Sequence, residues 1–327
     1  GAGWRAPVRG SSPPWICPPR PCRWRRRARC ARAGSAGARE ARSLELKGLP
    51  GPIVVHEVIP EPPADGPEGR GLTFRVLGLV EVQHDGRGVA VGGPKERLVL
   101  AVLLTSAGAP VSIGALADAI WGERPPRTAE RTVHAYIARL RRALEPTPGP
   151  GGASAVIETV GRSYRLRIDP DQLDAGRFER LARSGVEQLR RGEPAAAAET
   201  LRTALAEWRG AAFAELDDVR PCAAEAARLD AVRLEVIEDR VDADLAAGRA
   251  GELVPELEAA VRDQPFRERL WRQLMLAMYR SGRQRDALDA YQRARRALVD
   301  ELGIEPGPEL RRLEAAILDQ DPALDEQ

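Results

Sequence analysis

The chain has 327 residues, a length that suits two domains, and its 43% hydrophobic and 30% charged residues are the balance of a globular protein. No apolar run approaches the ~20 residues needed to span a bilayer, which argues against a membrane partner. The net charge of +2 conceals a polarised distribution. Residues 72–168 carry thirteen Lys and Arg against eight acids, a net of +5, whereas residues 169–327 carry twenty-four against thirty-four, a net of −10. A basic module suited to phosphate precedes an acidic one that the same polyanion repels.

Residues 1–71 read as a disordered or misassigned leader. Residues 1–39 hold ten Arg and no acid, and the remainder is repeatedly interrupted by Pro and Gly. The run Arg25-Arg26-Arg27 has no apolar stretch after it, so a secretory signal is not expected. Cys17, Cys22 and Cys30 lie here at spacings foreign to zinc knuckles, and Cys222 stands apart, so neither a metal nor a cofactor is expected. Unpaired thiols fit a reducing cytoplasm.

Ordered sequence begins at Leu72. LTFRVLGLVEVQHDG alternates like a strand up to the turn pair Asp85-Gly86, and GVAVGG follows as a short partner strand. Pro94 opens a helix that stops at Gly108; Ser112 caps a second that closes at Gly122; Thr128 is the expected cap of a third. In that third helix Val133, Ile137, Leu140 and Leu144 recur at helical spacing. At about 100° per residue Thr128, Arg131, Ala135, Ala138 and Arg142 fall opposite, with Arg139 beside them. The outward face is therefore cationic and lined with small residues. A hairpin from Val156 to Ile168 follows, and this order of elements is that of a winged helix-turn-helix over residues 72–168.

On that reading Ile113–Trp121 braces the duplex and Thr128–Leu144 enters the major groove. Arg131 is placed to contact guanine through its planar fork, with Thr128, Thr132, His134 and Ala135 lining the same approach. Arg139 and Arg142 are candidates for phosphates, and Arg127 belongs to the same DNA-binding set. Lys95 and Arg97 flank a helix N-terminus, where the dipole favours anions. Arg162 at the hairpin tip would reach the minor groove or its rim, beside Tyr164.

Residues 169–327 read as helices throughout. Gly248 and Gly282 are separated by the 34-residue tetratricopeptide period. Small, bulky and small residues follow the turn glycines as Ala197, Leu201 and Ala204 after Gly192, and as Ala287, Tyr291 and Ala294 after Gly282. After Gly248 they are Leu253, Leu257 and Ala260, so the middle unit breaks the first small position. Gly192 and Gly248 lie 56 residues apart, one period plus an insertion of about 22 residues that contains GAAFAELDDVRPCAAEAA. The expected fold is mainly α with a small β part, a winged helix followed by an all-α tetratricopeptide-like domain.

The segments GGPKERLVLAVLL, VSIGALADAIWGERPP, RTVHAYIARLRRAL, TVGRSYRLRID, LAEWRG and LMLAMYRSGRQRDALDAYQRARRALVDELGIEPGPELRRLE resemble the antibiotic regulatory protein family of actinobacteria (SARP; the AfsR/DnrI/RedD type) across Leu72 to Leu318. The resemblance implies an OmpR-like winged helix joined to a bacterial transcriptional activation domain. It further implies an activator of a secondary-metabolite gene cluster that binds direct repeats of double-stranded DNA and helps recruit RNA polymerase holoenzyme, as a possible homodimer on DNA. Ser163 stands where the family often has Gly before the hairpin Tyr, which bears on the wing turn and on Arg162.

No P-loop, G-x-S-x-G, H-E-x-x-H or dinucleotide fingerprint occurs, and only three His are present, so no enzyme is expected. The stretch before Leu72 is too short for a phospho-acceptor receiver domain. The competing readings are a helical-repeat interaction scaffold and a ligand-gated repressor using the same DNA-binding domain. The exposed Arg131/Arg142 face separates the scaffold from both regulators.

Overall fold

The computed structural model describes residues 38–44, 53–58, 71–106, 108–145 and 156–325. The chain divides into two units, Gly1–Gly66 and Pro67–Gln327. In the first, Ala38–Leu44 (β1) pairs antiparallel with Ile53–Val58 (β2), with one register shift between Arg39 and Ala41. The rest of the expected leader lies outside the described residues, apart from the start of the next unit.

The second unit opens with an antiparallel meander of Leu72–Arg75 (β3), Glu81–His84 (β4) and Arg87–Gly88 (β5), turned at Asp85-Gly86. The partner strand is shorter than GVAVGG suggests. Only Gly88 of that segment lies in the strand, because Val91 turns into the core and the chain enters Pro94–Thr105 (α1), which has Pro94 in its first turn. Ser112 caps Ile113–Trp121 (α2), its Oγ accepting from the Ala115 amide at 3.1 Å. Ala129–Leu144 (α3) begins after Thr128. That residue occupies the cap position, but its side chain makes no cap bond; its carbonyl instead takes both the amide and the hydroxyl of Thr132, each at 2.9 Å.

Ile157–Val160 (β7) and Ser163–Leu166 (β8) form the wing, and Val111–Ser112 (β6) adds a third strand in the order β6-β8-β7. The two-residue turn places Gly161 at φ +58°, a left-handed conformation that favours glycine. Ser163 pairs with both Val160 and Ser112, so the residue after the turn serves as an ordinary strand position and needs no glycine.

Seven helices follow among the described residues: Asp174–Arg190 (α4), Pro194–Leu205 (α5), Arg220–Ala246 (α6), Ala250–Asp263 (α7), Glu268–Arg280 (α8), Gln284–Leu302 (α9) and Pro308–Asp319 (α10). Gly192, Gly248 and Gly282 sit at the turns within α4/α5, α6/α7 and α8/α9, each with φ between +73° and +78°. Ala197, Leu201, Ala204, Leu253, Leu257, Ala287, Tyr291 and Ala294 are all buried, as a stack of helical hairpins requires. The chain is thus mainly α, a winged helix followed by tetratricopeptide-like hairpins.

The long interval between Gly192 and Gly248 is taken up by the 27-residue α6 and by a connector over residues 206–219. This connector docks on the turn between β3 and β4. The amides of Arg209, Phe213 and Ala214 donate to the carbonyls of Leu77 (2.8 Å), Val76 (2.8 Å) and Gly78 (3.0 Å). Beneath it the fully buried Asp174 carboxylate accepts from the amides of Val76 (2.8 Å) and Leu77 (3.1 Å) and from Arg209 Nη2 (3.1 Å). One apolar core therefore runs without a break from Leu72 to Ala243, and a second runs from Val241 to Ile317.

Candidate nucleic-acid interface

The inward face of α3 is fixed by burial of Ala129, Val133, Ile137, Leu140 and Leu144. Removing these side chains from water stabilises the helix by about 1.5–3 kcal/mol for each large aliphatic. The opposite face is thereby committed to solvent. Arg127, Thr128, Arg131, His134, Ala138 and Arg142 are exposed there, with Ala135 and Thr132 half-buried at its margins. No acidic group among the described residues pairs with Arg127 or Arg131, and Arg142 bonds only the Ala138 carbonyl, at 3.3 Å.

Three links tie one flank of this helix to the wing. Glu130 Oε1 accepts from Arg162 Nη2 at 2.7 Å. His134 Nδ1 shares a hydrogen bond with the Tyr164 hydroxyl. Arg141 donates through Nε and Nη2 to the Ile157 carbonyl at 3.0 and 2.8 Å, and through Nη2 to Thr159 Oγ1 at 2.8 Å. Tyr164 is only 4% exposed, since alternation along β8 turns it and Leu166 inward. Burial pushes its hydroxyl up against the lowering effect of the Arg141 charge. Tyr164 accordingly packs under the surface instead of lying on it, holding His134 above and the Arg141 guanidinium 5.7 Å from its ring centroid.

The other flank faces α1. Arg139 binds the carboxylate of Glu96, which is itself buried, and its guanidinium lies 5.5 Å from the ring of Tyr136. Lys95 donates to the Ile120 carbonyl at 3.3 Å and sits 5.6 Å from the Trp121 ring, closing the C-terminal end of α2. Arg97, half-buried, lies one residue beyond Glu96. Of the predicted set, the structure thus unites Arg127, Thr128, Arg131, His134, Ala135 and Arg142 on one face. It ties Arg162 to that face, engages Lys95 and Arg139 within the protein, and turns Tyr164 into the core.

Three contributors were missed in the sequence: Glu96, Glu130 and Arg141. Their only signal there is position on the helical wheel. Arg141 and Glu130 fall about 80° and 100° to the same side of Arg131, towards whatever packs on that flank. No group of three or more His, Cys, Asp or Glu suited to a metal occurs among the described residues. Nor is any helix of the described residues long and apolar enough to cross a membrane.

Residues 89–166 match the family model for "Transcriptional regulatory protein, C terminal", and residues 173–318 match "Bacterial transcriptional activator domain". The chain is 39% identical over 257 residues to the regulatory protein DnrI of Streptomyces peucetius, covering 78% of this chain and 94% of that one. It is 40% identical to the regulatory protein AfsR of Streptomyces coelicolor over 84% of this chain, and 39% identical to the transcriptional regulatory protein EmbR of Mycobacterium tuberculosis over 77%. The chain spans 27% of the length of AfsR and 64% of that of EmbR. A solved structure of Mycobacterium tuberculosis EmbR in complex with a low-affinity phosphopeptide superposes with a TM-score of 0.72 at 37% identity, covering 78% of this chain and 68% of EmbR.

Proposed function

The chain belongs to the SARP family of DNA-binding transcription regulators, and on that footing we propose that it activates a secondary-metabolite gene cluster from direct repeats near a promoter. Residues 72–168 read the duplex and residues 169–327 meet the transcription machinery, RNA polymerase holoenzyme included. The chain does no catalysis and acts in the cytoplasm. Direct repeats relate their half-sites by translation, so two copies on DNA meet head to tail and not across a two-fold axis.

The observation that carries this reading is the outward stripe of α3. Arg131 and Arg142 are paired with no acid among the described residues and have Ala135 and Ala138 between them, so the backbone can approach a groove closely while the cations reach base edges and phosphates. Arg131 reads guanine; Arg127 and Arg142 take phosphates; Thr128, Thr132 and His134 add polar contacts. Arg97 meets the backbone beside α1. Lys95 acts mainly by holding α2 against α1, and Arg139 by holding α1 against the reader helix.

The test is genome-wide crosslinking of the protein to DNA, run beside an Arg131→Ala/Arg142→Ala variant. Sharp peaks at promoters with direct repeats, lost in the variant, are expected and identify the cluster. Absence of peaks, or peaks indifferent to the double substitution, would return the basic face to the role of a solvated surface.

A further inference from the structure

Glu130 is an anion on a surface otherwise arranged to meet an anion. It stands in the first turn of α3 between Arg127 and Arg131, and its side chain is 62% exposed. A carboxylate in that place repels phosphate, so it weakens any encounter that depends on the backbone alone. Its geometry is nevertheless defined. Oε1 takes the guanidinium of Arg162, which reaches from the wing turn with a side chain 81% exposed, while Oε2 has no partner among the described residues.

We propose that Glu130 is a specificity-determining residue that accepts from the exocyclic amine of a cytosine in the major groove, and that Arg162 is its positioning partner. The inference rests on the DNA-reading surface proposed above. An ionised carboxylate can only accept hydrogen bonds, so it selects a base edge that presents an amine and disfavours one that presents a carbonyl. Cytosine N4 is the donor that Glu and Asp read in the major groove. Glu130 and Arg131 are consecutive and project about 100° apart, one towards the wing and one along the groove. Together they offer an acceptor and a bidentate donor, the complement of the amine of cytosine and the O6/N7 pair of guanine. Held from the wing side, the carboxylate presents its free oxygen without first losing the rotamer freedom of a long side chain. Arg162 on this account spends its charge on Glu130 and not on the minor groove.

The test is repeated selection of duplexes from a randomised library by the full chain and by its Glu130→Gln, Glu130→Ala and Arg162→Ala variants. Affinities for the selected and for a scrambled duplex are then compared at one salt concentration. The wild type is expected to enrich a motif containing a cytosine that Glu130→Ala no longer distinguishes, a loss of about tenfold in preference at that position alone. Affinity for the scrambled duplex should rise in the same variant. Glu130→Gln should move the preference at that position to adenine, whose N6 and N7 an amide reads bidentately; a merely structural carboxylate predicts no such change of base. Arg162→Ala should blunt the same position and leave the others sharp. A wild-type motif that all three variants reproduce overturns the role of Glu130 alone. A wild type that enriches no motif overturns the DNA-reading proposal, and this inference with it. Both side chains are exposed and Glu130→Gln is isosteric, so thermal unfolding matching the wild type is the accompanying control.

Discussion

The guanidinium of Arg139 on α3 is bound by the carboxylate of Glu96 in the first turn of α1, joining the two helices through a half-exposed cation and a buried anion. Burial pushes the Glu96 carboxyl up. The Arg139 hydrogen bond and charge, with the backbone of Glu96 and Gly93, outweigh that and hold it below its ordinary 4.5. A carboxyl lowered in this way binds fewer protons folded than unfolded as pH falls. Its contribution is therefore complete above pH 4.5 and is lost as pH drops through the lower folded value. The thermal midpoints of the wild type and Glu96→Gln should differ by a constant amount near neutrality and converge in acid. A difference that persists unchanged down to about pH 3 would show that the pair contributes through shape and not charge.

Asp174 fastens the turn between β3 and β4 to the helical hairpins. Replacing it with Ala strands two buried amides and the Arg209 guanidinium, a loss of about 3 kcal/mol or more. Denaturant unfolding followed by circular dichroism should show the midpoint falling by a corresponding margin. A change under about 0.5 kcal/mol would mean that water replaces the carboxylate there.

Arg141 is predicted to act on DNA without touching it. Arg141→Ala removes the bonds to the Ile157 carbonyl and Thr159. Amide exchange across β7 and β8 should accelerate, and affinity for target and scrambled duplexes should fall together. Unchanged exchange in the wing would assign the loss to a direct phosphate contact instead.

Salt titration separates the two outward arginines. Arg142→Ala should reduce the slope of log affinity against log salt by about 0.9 on every duplex. Arg131→Ala should cost about 1–3 kcal/mol on the target alone. Fluorescence anisotropy on a target and a scrambled duplex measures both, and identical behaviour of the two variants would contradict the division of roles.

Gly185 of α4 packs directly against Leu201 of α5. A Cβ built there falls 2.5 Å from Leu201 Cγ, so Gly185→Ala forces the first hairpin apart. Overpacking of this kind costs about 1–3 kcal/mol, and the thermal midpoint should drop accordingly. A stabilised variant would show that the gain in helix propensity exceeds the strain.

The helix α3 was legible because one physical signal marks it: Val133, Ile137, Leu140 and Leu144 recur at helical period beside a cationic face. The repeat turns were legible because left-handed positions leave glycines 34 residues apart. What escaped was pairing between polar groups distant in sequence. Glu96 and Arg139 are 43 residues apart, and Asp174 and Val76 are 98 apart. Periodicity shows which side of a helix is polar and says nothing of which cation meets which anion. Val111–Ser112 is too short to alternate, so the third strand of the wing sheet has no signature of its own. Tyr164 shows the same limit, because its inward turn is set by strand register and not by residue type.

The unbroken core from Leu72 to Ala243 bears on how such a chain can be recombined. Splicing at residue 168 would sever the winged helix from the connector that covers Val76 and Leu77 and from the carboxylate that caps their amides. Both fragments would then present a raw apolar face. A chimera that borrows another relative's helices should inherit residues 206–219 and Asp174 with its own β3-β4-β5 sheet, and cross over within α6 near Val241, where one core gives way to the next. The exchangeable unit is therefore larger than the winged helix.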